Sequence, residues 1–181
     1  MVEFPPFTMS TSAFTWTNAN YAFKLVDVPS FGELTGLFDQ YRILKVKLTW
    51  IPHWKDVPIN TEFAVGAATP IIFITKSLDG TQNLSTKLEA FQDSSIVRVA
   101  EPRKNFSLSL TPNVQFEVQT ALTIAGAAPK GNTWLDTENP NVNHYGAAIG
   151  GYIPQTFGTP LINPNVYTIQ CEYTMEFKNP K

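Results

Sequence analysis

The chain has 181 residues, a formal charge of -2 and only 15% charged side chains, well below the roughly 25% of an average soluble domain. Nothing in that balance points to a nucleic-acid or membrane-surface partner, and a single cysteine excludes an internal disulfide framework. Fourteen prolines and ten glycines among many Thr, Val, Phe and Asn residues argue against a helical bundle and for short strands joined by turns, in one domain over 1–181.

In chain order, Met1 to Phe7 has neither the basic start nor the uninterrupted apolar core of a secretory signal. Phe14 and Trp16 alternate with threonines, and Tyr21, Phe23 and Leu25 alternate with Ala22 and Lys24. This predicts an N-terminal strand with a bulge or tight turn at Asn18-Ala19-Asn20. The alternation assigns the aromatics to core packing rather than to stacking on bases. Ser30 then reads as an N-cap with Glu33 at the third helical position, and Phe31, Leu34, Leu37 and Phe38 recur at helical spacing. A helix of about two turns is expected.

A strand follows from Tyr41 to Ile51, with Leu44, Val46, Leu48 and Trp50 on one face and Lys45, Lys47 and Thr49 on the other; Pro52 ends it. The longest apolar stretch, Phe63 to Thr75, is thirteen residues interrupted by Gly66 and Pro70. It is too short for a bilayer, which takes roughly 20, so no membrane insertion is expected. Further strands are predicted at Pro70–Lys76, Ser94–Val99, Asn105–Leu110, Asn113–Thr123 and Gly146–Ile153, with a helical turn at Ser85–Phe91. The clearest segment is the last. From Tyr167 to Lys178 every odd position is apolar (Tyr, Ile, Cys, Tyr, Met, Phe) and every even one polar, the period of a strand with one face in a core. Cys171 lies on the apolar face, as a small buried side chain rather than a reactive thiol. Seven or eight strands with two helical turns make an all-β sandwich or jelly roll.

Enzyme chemistry is poorly supplied. Neither His53 nor His144 stands at a metal-binding spacing, and no phosphate loop, nucleophile elbow or paired-carboxylate motif is present. No catalytic residue, cofactor or metal is therefore assigned. Asp136, Glu138 and His144, within one loop-like stretch, form the one candidate acid–base or metal set; a solvated loop accounts for the same residues. Among the cations, Lys45 and Lys47 share a strand face, and Arg103 and Lys104 follow Arg98 in a second cluster. On a cavity wall these would meet phosphates; on a free strand they are charges that discourage edge association.

The segment Phe31-Gly32-Glu33-Leu34-Thr35-Gly36-Leu37-Phe38-Asp39-Gln40-Tyr41-Arg42-Ile43-Leu44-Lys45-Val46-Lys47-Leu48-Thr49-Trp50-Ile51-Pro52 resembles the capsid proteins of circovirus-like, Rep-encoding single-stranded DNA viruses. There a short helix runs into Phe-Asp-x-Tyr-Arg-Ile and a basic-apolar strand closed by proline. Tyr173-Thr174-Met175-Glu176-Phe177-Lys178-Asn179 is similar to that family's last strand. The resemblance implies an eight-stranded viral jelly roll that assembles with copies of itself into a T=1 icosahedral shell, a virion component formed in the host nucleus around circular single-stranded DNA. Arg42, Lys45, Lys47, Arg103 and Lys104 become candidate nucleic-acid contacts. Asp39 or Glu33 is the expected ion-pair partner of Arg42. Members of the family also carry an arginine-rich N-terminal arm, whereas Lys24 is the only basic residue between Met1 and Val28; the DNA contact then belongs to an arm outside this chain or to the inner face of the shell. Two other readings compete. One is a carbohydrate-binding sandwich displaying Trp54 and Trp134; the other is a metal-dependent enzyme built on Asp136, Glu138 and His144.

Overall fold

The computed structural model describes residues 1–10, 12, 14–53, 70–76, 84, 86–92, 95–120, 123–154 and 166–181, with the backbone alone at 89, 115–120 and 123–130. Two antiparallel sheets face each other. The strands are β1 (Val2–Thr8), β2 (Thr17–Phe23), β3 (Phe38–Pro52), β4 (Ile71–Thr75), β5 (Val97–Arg98), β6 (Phe106–Leu110), β7 (Asn113–Thr120), β8 (Thr123–Gly131), β9 (Leu135–Asp136), β10 (His144–Tyr152) and β11 (Val166–Pro180). A 3-10 turn (Leu25–Asp27) and helix α1 (Phe31–Leu37) lie between β2 and β3, and helix α2 (Lys87–Gln92) lies between β4 and β5.

One sheet runs β1-β11-β3-β6, with β9 on the end of β3. In the other, β10 pairs β2 on one side and β4 on the other, β5 completes the edge beside β4, and β7 leads to β8. Without the β7–β8 hairpin and β9, eight strands remain in the orders β1-β11-β3-β6 and β2-β10-β4-β5. Apart from β4 and β5, which pair with each other, chain neighbours among these eight alternate between the sheets, which is the double Greek key of a viral jelly roll.

The core lies between the sheets and includes Phe23, Leu25, Tyr41, Leu48, Trp50, Ile72, Ile149, Tyr167, Ile169 and Cys171, each fully buried. On β11 the predicted alternation is observed, with Tyr167, Ile169 and Cys171 inward and Glu172 exposed. On β3 it holds only from Val46 onward. The register jumps from Lys45↔Thr174 to Ile43↔Met175, so Leu44 is one extra residue, a β-bulge. The bulge reverses parity, placing Tyr41 and Ile43 in the core and leaving Leu44, expected on the core face, half exposed.

Other expectations are corrected. The N-terminal strand begins at Thr17, and Asn18-Ala19-Asn20 pairs continuously with Gly150, Ile149 and Ala148; the irregularity is on β10, between Tyr145 and Ala147. Phe14 is not in the core: it is 62% exposed with φ 60°, a left-handed conformation that a bulky side chain rarely adopts. β1 was not expected across Pro5-Pro6. It is an edge strand with a register shift between Phe4 and Phe7, where prolines lacking an N–H are tolerated. The predicted 113–123 strand is divided between the two arms of a hairpin: β7 ends at Thr120, and Thr123, its partner, opens β8. Of the predicted 94–99 strand, Ser94 lies outside the described residues, and among the described ones only Val97–Arg98 is strand, with the Val99 N–H bonding Ile72 O beyond it. Helix α1 forms as expected, but Ser30 has φ 61° and makes no side-chain cap, and no α1 residue is buried; Phe31 alone of the helix packs on the core.

Candidate functional site

The outward face of the β1-β11-β3-β6 sheet carries Arg42, Lys45 and Lys47 together, because they fall on outward positions of β3 once the bulge is counted. Arg42 and Lys47 each meet the carboxylate opposite them on β11. Arg42 donates from Nε and Nη2 to Glu176 Oε2 at 2.8 and 2.5 Å, and Lys47 Nζ donates to Glu172 Oε1 at 3.3 Å. Thus the partner of Arg42 is Glu176, not Asp39 or Glu33, since register places the two side chains opposite each other. Both pairs are partly exposed and worth about 0–1 kcal/mol. Lys45 lies opposite Thr174 and makes no ion pair among the described residues. Strand parity adds Lys178 to the cations of this face, and Glu3 and Asp136 to its carboxylates. Arg103 and Lys104 lie off this face, in the turns before β6, where Lys104 Nζ bonds Glu101 Oε1 at 3.0 Å.

Trp134 stands beside the same face. The Arg42 guanidinium and the Lys178 ammonium lie over its ring, 4.5 and 4.3 Å from the centroid, a cation–π arrangement. The aromatic plane that a sugar would stack on therefore already carries two cations. Trp54, the other half of that reading, lies outside the described residues.

Asp136, Glu138 and His144 do not form one site. Asp136 Oδ1 accepts the backbone N–H of Glu138 at 2.8 Å, an Asx turn that fixes the chain. His144 is not a loop residue; it opens β10 and is 2% exposed. Its Nδ1 lies 3.1 Å from Val142 O, and its ring packs 6.0 Å from Tyr41. Among the described residues no three His, Cys, Asp or Glu side chains converge on a metal position. His53 is exposed, with Nε2 against Thr168 Oγ1. Burial pushes the Cys171 thiol up to about 12, which keeps it protonated and unreactive at neutral pH.

Burial holds the His144 pKa below its ordinary value, against smaller raising contributions from its bonds to Val142 and the Phe23 backbone. The folded state thus binds fewer protons than the unfolded one at mildly acidic pH. The associated stability is present above the unfolded value near 6.5 and is lost as pH falls below it. Unfolding midpoints at pH 7.5 and 5.5 should differ, and His144→Phe should shrink that difference; an unchanged difference would mean that His144 does not set it.

The second sheet has an outward face of another kind. Ile71, Phe73 and Thr75 of β4 and Ala148, Gly150 and Tyr152 of β10 point away from the main core. Ile71, Phe73, Ala148 and Tyr152 form a second apolar cluster with Leu84, Ala90, Trp16 and Ile96. Trp16 lies over Gly150, where a Cβ would come within 2.3 Å of its ring, and donates from Nε1 to Leu84 O at 2.6 Å. Phe91 of α2 meets Phe73 edge-on at 5.1 Å. The periodicity reading did not find this face. Its signal is the run Gly146-Ala147-Ala148-Ile149-Gly150-Gly151-Tyr152, which does not alternate and so belongs to a strand covered on both sides.

Comparison with solved structures recovers the same architecture. The chain is similar to the BFDV capsid protein crystallised as a 60-mer, at 18% identity and TM-score 0.61, with 99% of this chain and 92% of that one covered. It is also similar to the decameric BFDV capsid protein, at 15% identity and TM-score 0.56, covering 98% and 94%, and to tobacco necrosis virus, at 10% and 0.51, covering 99% and 79%. At these identities the likeness is one of fold. A search of the curated proteins returned no match. The sequence itself matches the circovirus capsid protein family over residues 5–181. The chain therefore belongs to the circovirus capsid protein family, whose members are structural components of the virion.

Proposed function

We propose that this chain, as one jelly-roll domain over 1–181, self-assembles into a T=1 icosahedral shell that encloses circular single-stranded DNA and is built in the host nucleus. The observation that carries the reading is the pairing order β1-β11-β3-β6 against β2-β10-β4-β5 in a chain matched by the capsid family almost end to end. The fold relative crystallised as a 60-mer has the subunit number of a T=1 shell. Electron microscopy of the purified chain tests it: closed particles of uniform size are expected, and a stable monomer at neutral pH and moderate salt overturns the reading.

For the DNA contact, the proposed residues are Arg42, Lys45, Lys47, Arg103 and Lys104. Their weights differ. Arg42, Lys47 and Lys104 are already matched by carboxylates, so a phosphate must compete with Glu176, Glu172 or Glu101. Lys45 is exposed and has no such competitor among the described residues. Particles should carry nucleic acid, read as the ratio of absorbance at 260 and 280 nm, and Lys45→Ala with Lys47→Ala should lower that ratio. An unchanged ratio would assign packaging to residues outside this face.

A further inference from the structure

A sandwich that works as a monomer turns polar residues outward on both sheets. Here only one sheet does so. The outward face of β4 and β10 is apolar and is covered by a short layer, α2 with Trp16 and Leu84. That layer itself presents large apolar side chains to solvent: Phe14 is 62%, Leu88 64% and Phe91 58% exposed. These belong to one patch. Lys87 Nζ lies over both Phe14 and Tyr152, 5.4 and 3.9 Å from the ring centroids, and Phe91 rests on Phe73 of the same cluster. The exposed Phe14 is held out by a backbone with φ 60°, a strained conformation of the kind retained at functional positions. Around the patch stand Lys87 of α2 and the exposed Arg98, which pairs with Phe73 and so shares its face.

A second surface has the opposite character. α1 packs beside the 3-10 turn and β3. It buries none of its residues, leaves Leu37 59% exposed, and has no basic residue of its own. Glu33 and Asp39 are exposed beside Leu34 and Leu37, with the terminal Lys181 bonded to the Thr35 and Leu37 carbonyls.

We propose that the Phe14–Leu88–Phe91 patch is a subunit contact whose occupant is the α1 surface of a second copy of this chain. The inference rests on the self-assembly reading and identifies the surfaces that carry it. Apolar side chains meet apolar ones, and Lys87 and Arg98 of one copy face Glu33 and Asp39 of the next. The two surfaces differ, so the contact is head-to-tail, the kind that closes into rings when its rotation permits. Apolar residues at the centre with complementary charge at the rim fit both burial and orientation.

The test uses Leu88→Asp and Arg98→Glu, both at exposed positions, in the full chain. Sedimentation and electron microscopy read assembly, and circular dichroism reads the fold. The expected result is loss of the particle peak with the folded spectrum and thermal midpoint retained, and recovery of particles when Arg98→Glu is combined with Glu33→Lys. Particles formed by both single variants as by the parent chain overturn this contact and leave the shell reading standing. Failure of Glu33→Lys to restore assembly overturns α1 as the occupant. A parent chain that stays monomeric overturns the shell reading, and this inference with it.

Discussion

Trp50→Ala should lower the stability of the folded chain by about 3–5 kcal/mol, the range for deleting a large aromatic side chain from a packed core. Trp50 is fully buried. Its ring stacks on Phe106 at 5.3 Å with the planes 16° apart, and Tyr21 meets it at 6.0 Å and 65°. It therefore joins three strands, β2, β3 and β6, across the two sheets. The cost includes both the lost transfer of the indole and a cavity that three strands fixed by hydrogen bonding cannot collapse to fill. Denaturant unfolding followed by far-ultraviolet circular dichroism gives the number. A loss below about 1 kcal/mol would be the value for a surface position and would remove Trp50 from the centre of the core.

Gly150→Ala should destabilise by about 1–3 kcal/mol, the usual cost of forcing extra carbon into a filled interior. The added Cβ would sit 2.3 Å from a ring carbon of Trp16, and Trp16 cannot swing aside without breaking its bond to Leu84 O. The substitution thus tests whether the second apolar layer is packed as tightly as the first. Gly32→Ala is its control. Nothing lies within 4 Å of a Cβ there, and alanine in a helix is favoured over glycine by roughly 0.5–1 kcal/mol, so that variant should be neutral or stabilised. Thermal midpoints of the two variants should move apart; a shared shift of one sign would contradict the packing at Gly150.

The legibility of the fold differed from strand to strand for identifiable reasons. β11 and the second half of β3 are half-buried strands of ordinary composition, so alternation named their inward residues correctly. β1 and β8 escaped notice because Pro5-Pro6 and the run Thr123-Ile124-Ala125-Gly126-Ala127-Ala128-Pro129-Lys130-Gly131 oppose strand propensity. Pairing with β11 and β7 stabilises both. The Asn18-Ala19-Asn20 segment reads locally as a turn, yet its place beside β10 makes it strand. The candidate cations were visible as residue types, but their state was not. Arg42 and Glu176 stand 134 positions apart in the chain, and no local pattern connects them.

Sequence alone determined the class of this protein: low charge, dispersed proline and strict alternation require an all-β sandwich, and the Phe31 to Pro52 block carries the family resemblance. These are local properties, fixed by how each side chain relates to its near neighbours on a pleated backbone. Tertiary structure decided what depends on register and on contacts far apart in sequence. It inverted the first half of β3 through one extra residue at Leu44 and matched Arg42 and Lys47 with carboxylates on β11. It also moved His144 from a presumed loop into the interior. Above all, it separated two outward faces that composition merges, one charged and one apolar, because only the pairing of strands determines which residues share a surface.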